Sequence, residues 1–170
     1  MTITVSAKAL VNTQFNFTES VSGKITSDNV SLVSNCPFTY GSGDLQIDAA
    51  VNTTGVLASG GSVVLDMTAI TKQYFDLESV VPFSGIKSIC IANLATTSGS
   101  DIKIAATGSA GLTDLFNGGS GNLLVKPYGA FNYSDPYGGI RTSATNAELT
   151  LIDVGGSGAS YSVAILGNLN

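Results

Sequence analysis

The run Ile86–Leu94, IKSICIANL, alternates with a period of two: Ile86, Ser88, Cys90 and Ala92 fall on one side, Lys87, Ile89, Ile91 and Asn93 on the other. That is the period of a strand. Apolar residues stand on both sides, so the run reads as a central strand covered on both faces. Further β-like runs follow at short intervals: DIKIAA, NLLVKPYGAFNY, ELTLIDV and SYSVAILG. Together they predict a C-terminal β-framework built around 86–94.

Toward the N-terminus the same period recurs. TITVSAKAL (2–10) and QFNFTESV (14–21) alternate, with Asn12 and Thr13 between them as a turn or bend. The passage that follows, through Val30, Leu32, Cys36 and Pro37, reads as loop-rich with one short strand. LQIDAAV (45–51) reads as a strand closed by NTTG. A strand beginning at Ser62 and a second at QYFDLES come next; a short helix through Met67, Ile70, Tyr74 and Leu77 is the alternative, disfavoured because Phe75 and Leu77 alternate. Pro82 cannot donate to a ladder, which suits the connection into the central strand. Leu112, Leu115 and Phe116 form an apolar knot read as a single helical turn over one end of the sheets. Eight to ten strands with turns every 8–12 residues predict an all-β fold. The expectation is a single antiparallel β-sandwich, jelly-roll-like, spanning 1–170, with residues 1–22 available as a strand or arm used in assembly. No fixed-period repeat supports a propeller or solenoid.

A chain of 170 residues can bury a core without a disulfide or metal staple. Only 11% of residues are charged and 44% are hydrophobic, with 20 glycines, so the polar surface is built from small neutral side chains. Such a surface suits either burial by neighbours or a low-charge extracellular-type β-protein. The net charge is −5 and the seven cations are scattered, so no basic arm or stripe exists to hold nucleic acid or an anionic membrane. The N-terminal residues carry no apolar core of signal-peptide length, which predicts synthesis in a cytoplasm without export by the general signal route. No run approaches the length that spans a bilayer. Cys36 and Cys90 have no metal-ligand spacing. Cys90 reads as a buried free thiol, with a Cys36–Cys90 bridge as the alternative.

Histidine is absent, which removes Ser-His and Cys-His nucleophiles and the commonest metal ligand. Asp76 and Glu78 share a strand face with Asp66 nearby, but a solvated polar face explains them more simply than a glycosidase pair. The turn at Ser42–Asp44 lacks calcium-loop spacing, and the glycines form no phosphate-binding motif. Four Asn-x-Ser/Thr sites, at Asn16, Asn29, Asn52 and Asn132, are incidental in an Asn- and Thr-rich chain. The expectation is therefore no enzyme activity, no cofactor and no metal. One stretch stands out for contact: Tyr128, Phe131, Tyr133, Tyr137 and Arg141 within fourteen residues. Tyr and Arg are enriched at binding hot spots, and aromatic faces also serve sugars. The plain alternative is that two or three of these rings are core.

FDLESVVPFSGIKSICIANLATTSGSDIKI, then NLLVKPYGAF, then AELTLIDVGGSGASYSVAILG resembles small virion proteins of tailed bacteriophages and related viruses. The resemblance covers Phe75–Gly167. It implies a jelly-roll or similar sandwich serving as a capsid decoration, minor capsid or tail-associated subunit. The implied partners are copies of the chain itself, as a homo-oligomer such as a trimer, and a major capsid or other virion protein. The implied location is the virion, after synthesis in the host cytoplasm. An acidic chain without a basic arm fits the outside of a shell better than a genome-facing position. A receptor- or glycan-binding β-module of a virion or tail is the competing expectation.

Overall fold

The structure, a computed structural model, describes residues 7–21, 24–74, 77–119 and 121–169, with side chains described for 36–71, 79–119 and 121–169. The 86–94 run falls within the strand Phe83–Asn93 and the residue after it. In chain order the strands are β1 (Ala7–Val21), β2 (Lys24–Tyr40), β3 (Gln46–Ile47), β4 (Ala49–Leu57), β5 (Ser62–Asp66), β6 (Ile70–Tyr74) and β7 (Leu77–Val81). They continue as β8 (Phe83–Asn93), β9 (Ile102–Ala105), β10 (Asn122–Val125), β11 (Ala130–Ser134), β12 (Ile140–Arg141), β13 (Glu148–Asp153) and β14 (Ala159–Leu169). A single 3-10 turn, Thr113–Phe116, sits where the apolar knot predicted one.

Nine of these strands make two sheets, in the orders β11-β8-β14-β4, with the short β12 also paired to β8, and β10-β9-β13-β5; all but β12 form one nested set of eight. Taken in chain order, the first of the eight pairs with the last (β4 with β14) and the second with the seventh (β5 with β13). The third pairs with the sixth (β8 with β11) and the fourth with the fifth (β9 with β10), all antiparallel. This nested pairing is the jelly roll. Inward residues alternate along each strand: Ile89, Ile91, Val163, Ile165 and Val51 from one sheet meet Ile102, Ile104, Leu149 and Leu151 from the other, all buried. Each such side chain contributes roughly 1.5–3 kcal/mol on leaving water. Ahead of the sandwich, β1 and β2 form a long antiparallel hairpin from Ala7↔Phe38 to Val21↔Lys24, joined onward through the parallel pairing of β2 with β3.

Several expectations change. Residues 12–13 lie within β1, and the passage read as loop-rich is the long strand β2. Cross-strand pairing carries both where local polarity suggested a break. NTTG lies inside β4, and QYFDLES is divided between β6 and β7, which pair as a hairpin. The strict alternation of 86–94 also fails at one point. Ser88 opposes Leu166 while Ile86 opposes Gly167, so Lys87 is an inserted residue, a β-bulge. The insertion reverses the parity and sends Ile86 into the core, fully buried like Ile89. Lys87 is left only 6% exposed, and its Nζ donates to the Tyr137 carbonyl at 2.5 Å.

Candidate contact surface

The aromatic stretch is divided by β11. Period-two geometry turns Phe131 and Tyr133 inward, opposite Ile91 and Ile89, where both pack half-buried against the core. Burial, with lesser help from Asp135 and Asp114, raises the Tyr133 hydroxyl pKa. Tyr128 lies before the strand and Tyr137 and Arg141 beyond it, all exposed. Six residues of extended chain span about 20 Å, so the five positions do not form one patch. Tyr128 occupies the third position of the turn Lys126–Gly129, closed by Gly129 N–H donating to the Lys126 carbonyl at 2.8 Å. Its φ of 61° is the left-handed conformation usually left to glycine, and its ring is 77% exposed. At the far end, the Asp135 carboxylate accepts the N–H groups of Tyr137 and Gly138 at 3.1 and 3.0 Å, fixing that loop.

The outward face of the sheet β11-β8-β14-β4 has a more uniform chemistry. Its register aligns Ala130, Ala92, Ser162 and Thr54 in one row, then Asn132, Cys90, Ala164 and Asn52 in the next. Ser134, Ser88 and Leu166 follow in a third row. At the opposite end Leu94 donates its N–H to the Ser160 carbonyl at 2.8 Å, and Ser160 stands across from Val56. No acidic or basic residue occurs among these positions. Leu94 and Val56 are 51% and 77% exposed. Cys90, half-buried here, is a free thiol like Cys36, and burial raises its pKa.

At the Leu94–Val56 end the face deepens into an open cleft of about 400 Å³. The turn after β4 and the loop after β8 form its walls, and residues 157–160, at the start of β14, form its floor. Two buried residues hold this end in place. Asn93, 1% exposed, donates Nδ2–H to the carbonyls of Ser100 and Val125 at 2.6 and 3.0 Å, while its Oδ1 accepts the Ala95 N–H at 3.0 Å. Asp153 Oδ2 accepts the N–H groups of Gly60 and Gly158 at 2.8 and 3.1 Å, tying together two turns beside the cleft. The Gly60 N–H is the main influence holding this carboxyl below its ordinary range; desolvation opposes it, and the Gly158, Gly155 and Gly156 N–H groups add to it. Gly155 packs so closely that a Cβ there would strike the Gly99 backbone, which lets the two loops meet.

Among the described residues no group of three or more Cys, Asp or Glu side chains is placed to hold a metal ion, and no helix is long and apolar enough to cross a membrane. Asp76, of the carboxylate pair weighed above, lies outside the described residues. The candidate surface residues that sequence reasoning missed are the outward ones of β4 and β14. Their signal was present: Asn52, Thr54, Val56, Ser160, Ser162, Ala164 and Leu166 are consecutive outward positions without a charge.

No protein-family model matches the chain, and no curated protein matches it. Among solved structures it is similar to the crystal structure of PirA, at 13% identity and a TM-score of 0.37, covering 68% of this chain and 92% of that one. It is also similar to the crystal structure of the Yersinia pseudotuberculosis-derived mitogen, at 12% identity and a TM-score of 0.35, covering 70% of this chain and 86% of that one. Likenesses at this level assign neither a family nor a function. The viral, capsid and bacteriophage expectation draws no support from them.

Proposed function

We propose that this chain is a non-catalytic, contact-making jelly-roll module and that its contacts are those of an assembly subunit. The kind of assembly is the one its sequence resembles: an external virion part, decoration or minor capsid, that binds copies of itself and a larger shell protein. One observation carries this reading: the outward rows of β11-β8-β14-β4 hold no acidic or basic residue, the exposed Arg141 of β12 lying beyond them. Interface cores are depleted of charge because desolvating an ion is costly. A solvated sheet face gains solubility from Lys and Glu, and this one forgoes them. The test is native mass by light scattering across a concentration series. A closed oligomer is the expected result; a monomer at every concentration would overturn the assembly reading.

A second reading, a glycan- or receptor-binding module, has its own support in the cleft. Ser59, Thr97, Ser100, Ser157 and Ser160 supply hydroxyls there beside the apolar Val56 and Leu94. Binding on a glycan array, lost in Ser160→Trp, would favour it over assembly.

A further inference from the structure

Resting on that assembly reading, we infer that the outward face of β11-β8-β14-β4 packs on the same face of a second copy, about a two-fold axis perpendicular to the strands. The argument is one of shape. Along β14 the outward residues run Ser160, Ser162, Ala164, Leu166: the small one stands at the cleft and the large one at the opposite end. Along β8 the order is reversed. Leu94 projects at the cleft end, and Ser88, only 5% exposed, lies low at the other.

A two-fold axis lying between the faces and crossing β14 near Val163 and β8 near Ile91 exchanges the two ends while keeping each strand over its own copy. It sets Leu166 of one chain over Ser160 of the other, in the cleft between Leu94 and Val56. It sets Leu94 over the other chain's Ser88. Symmetry repeats both matches, so each large residue meets a small one. Between them the two middle rows hold only Ala, Ser, Thr, Asn and Cys. Such side chains let two sheets approach at or inside the usual spacing of about 10 Å. An axis parallel to the strands, between β8 and β14, would instead set Leu94 over the other chain's Ser160 and keep Ser160 and Leu166 of the two copies at opposite ends, so a cross-link between positions 160 and 166 separates the two arrangements.

The size is sufficient. Four strands about 4.8 Å apart, with four rows about 7 Å apart, cover roughly 500 Å² on each copy, so about 1,000 Å² in the pair. That reaches the lower limit of a specific interface. The absence of charge on both surfaces removes the desolvation cost that opposes most such contacts.

Two measurements test it on the full chain. Ala164→Arg places a cation at an exposed central position of the face. It should weaken self-association at least about a hundredfold, the effect of burying unpaired charge twice in one interface, while the circular dichroism spectrum stays that of the wild type. In a Cys36→Ser, Cys90→Ser background, Ser160→Cys chains mixed with Leu166→Cys chains should cross-link through a short bis-maleimide. Either variant alone should not, because identical positions then lie about 20 Å apart along the strands. An oligomer unchanged by Ala164→Arg, or cross-links equally abundant in the unmixed samples, would overturn this packing while leaving the assembly reading intact. A wild-type chain that is monomeric throughout would overturn both. If Ala164→Arg fails to fold, the mixed cross-link decides alone.

Discussion

Replacing Asn93 by alanine removes the side chain that binds the end of β8 to the following loop and to β10. Three backbone groups lose a partner: the carbonyls of Ser100 and Val125 and the N–H of Ala95. Ser100 and Val125 are themselves buried, so water does not readily replace the lost donor. At roughly 1–2 kcal/mol for each of the three orphaned groups, the loss comes to about 3–6 kcal/mol. That is a large share of the ~5–15 kcal/mol that stabilises an ordinary domain. At ~2–4 °C per kcal/mol for a chain of this size, the thermal midpoint should fall by about 6–24 °C. Asn93→Asp is the sharper variant. It nearly keeps the shape and keeps the acceptor for Ala95, but it turns a negative oxygen toward two carbonyls. It should be at least as destabilising as alanine at neutral pH. Urea unfolding of wild type and both variants, read at a constant m-value, measures the differences. An Asn93→Asp chain within about 1 kcal/mol of wild type would refute the account of Asn93 as a satisfied buried donor.

Ile89→Asp puts an unpaired charge on a fully buried position of β8 and should cost more than about 4 kcal/mol, enough to prevent folding; a soluble chain with a wild-type melting curve would contradict the placement of the core. Tyr128→Gly should raise the thermal midpoint by about 1–4 °C, because relief of roughly 1–2 kcal/mol of left-handed strain exceeds glycine's entropic cost. A fall in the midpoint would show that the exposed ring packs on something. The lowered pKa of Asp153 fixes the sign of an acid effect: its stabilisation is present above the unfolded carboxyl pKa of about 3.9 and is lost as pH falls through the lower folded value. Urea midpoints between about pH 2 and 6 should therefore show a shallower acid limb in Asp153→Asn than in wild type; identical limbs would remove Asp153 from the account.

The strand positions were legible wherever one face is core, since burial enforces the period of two. The runs at β8, β9, β10, β11, β13 and β14 were all read in place, and Pro82 marks the break before β8. The bulge at Lys87 was hidden because both alternations of IKSICIANL place isoleucine plausibly, and only the pairing with β14 shows the inserted residue. Long hairpin strands such as β1 and β2 were read too short because their polar residues resemble turns, while cross-strand pairing does not depend on local composition. The candidate surface was half legible. Composition showed a chain poor in charge, but the eye was drawn to aromatic rings, and two of those, Phe131 and Tyr133, pack against the core. Which neutral residues share a face depends on register, which brings Asn52 beside Ala164 across 112 positions.

The strand β14 is a central one. β14 lies between β4 and β8: among the described residues it is the one ladder partner of the edge strand β4, and it pairs β8 on the side away from β11 and β12. During synthesis β4 therefore waits without its sheet partner, and β8 with one edge open, until β14 emerges and enters between strands made long before. Closing such distant pairs is slow, and open edges invite pairing between neighbouring chains in the meantime. A chain cut before Ala159 has a gap in the middle of a sheet, a lesion far worse than the loss of an edge strand.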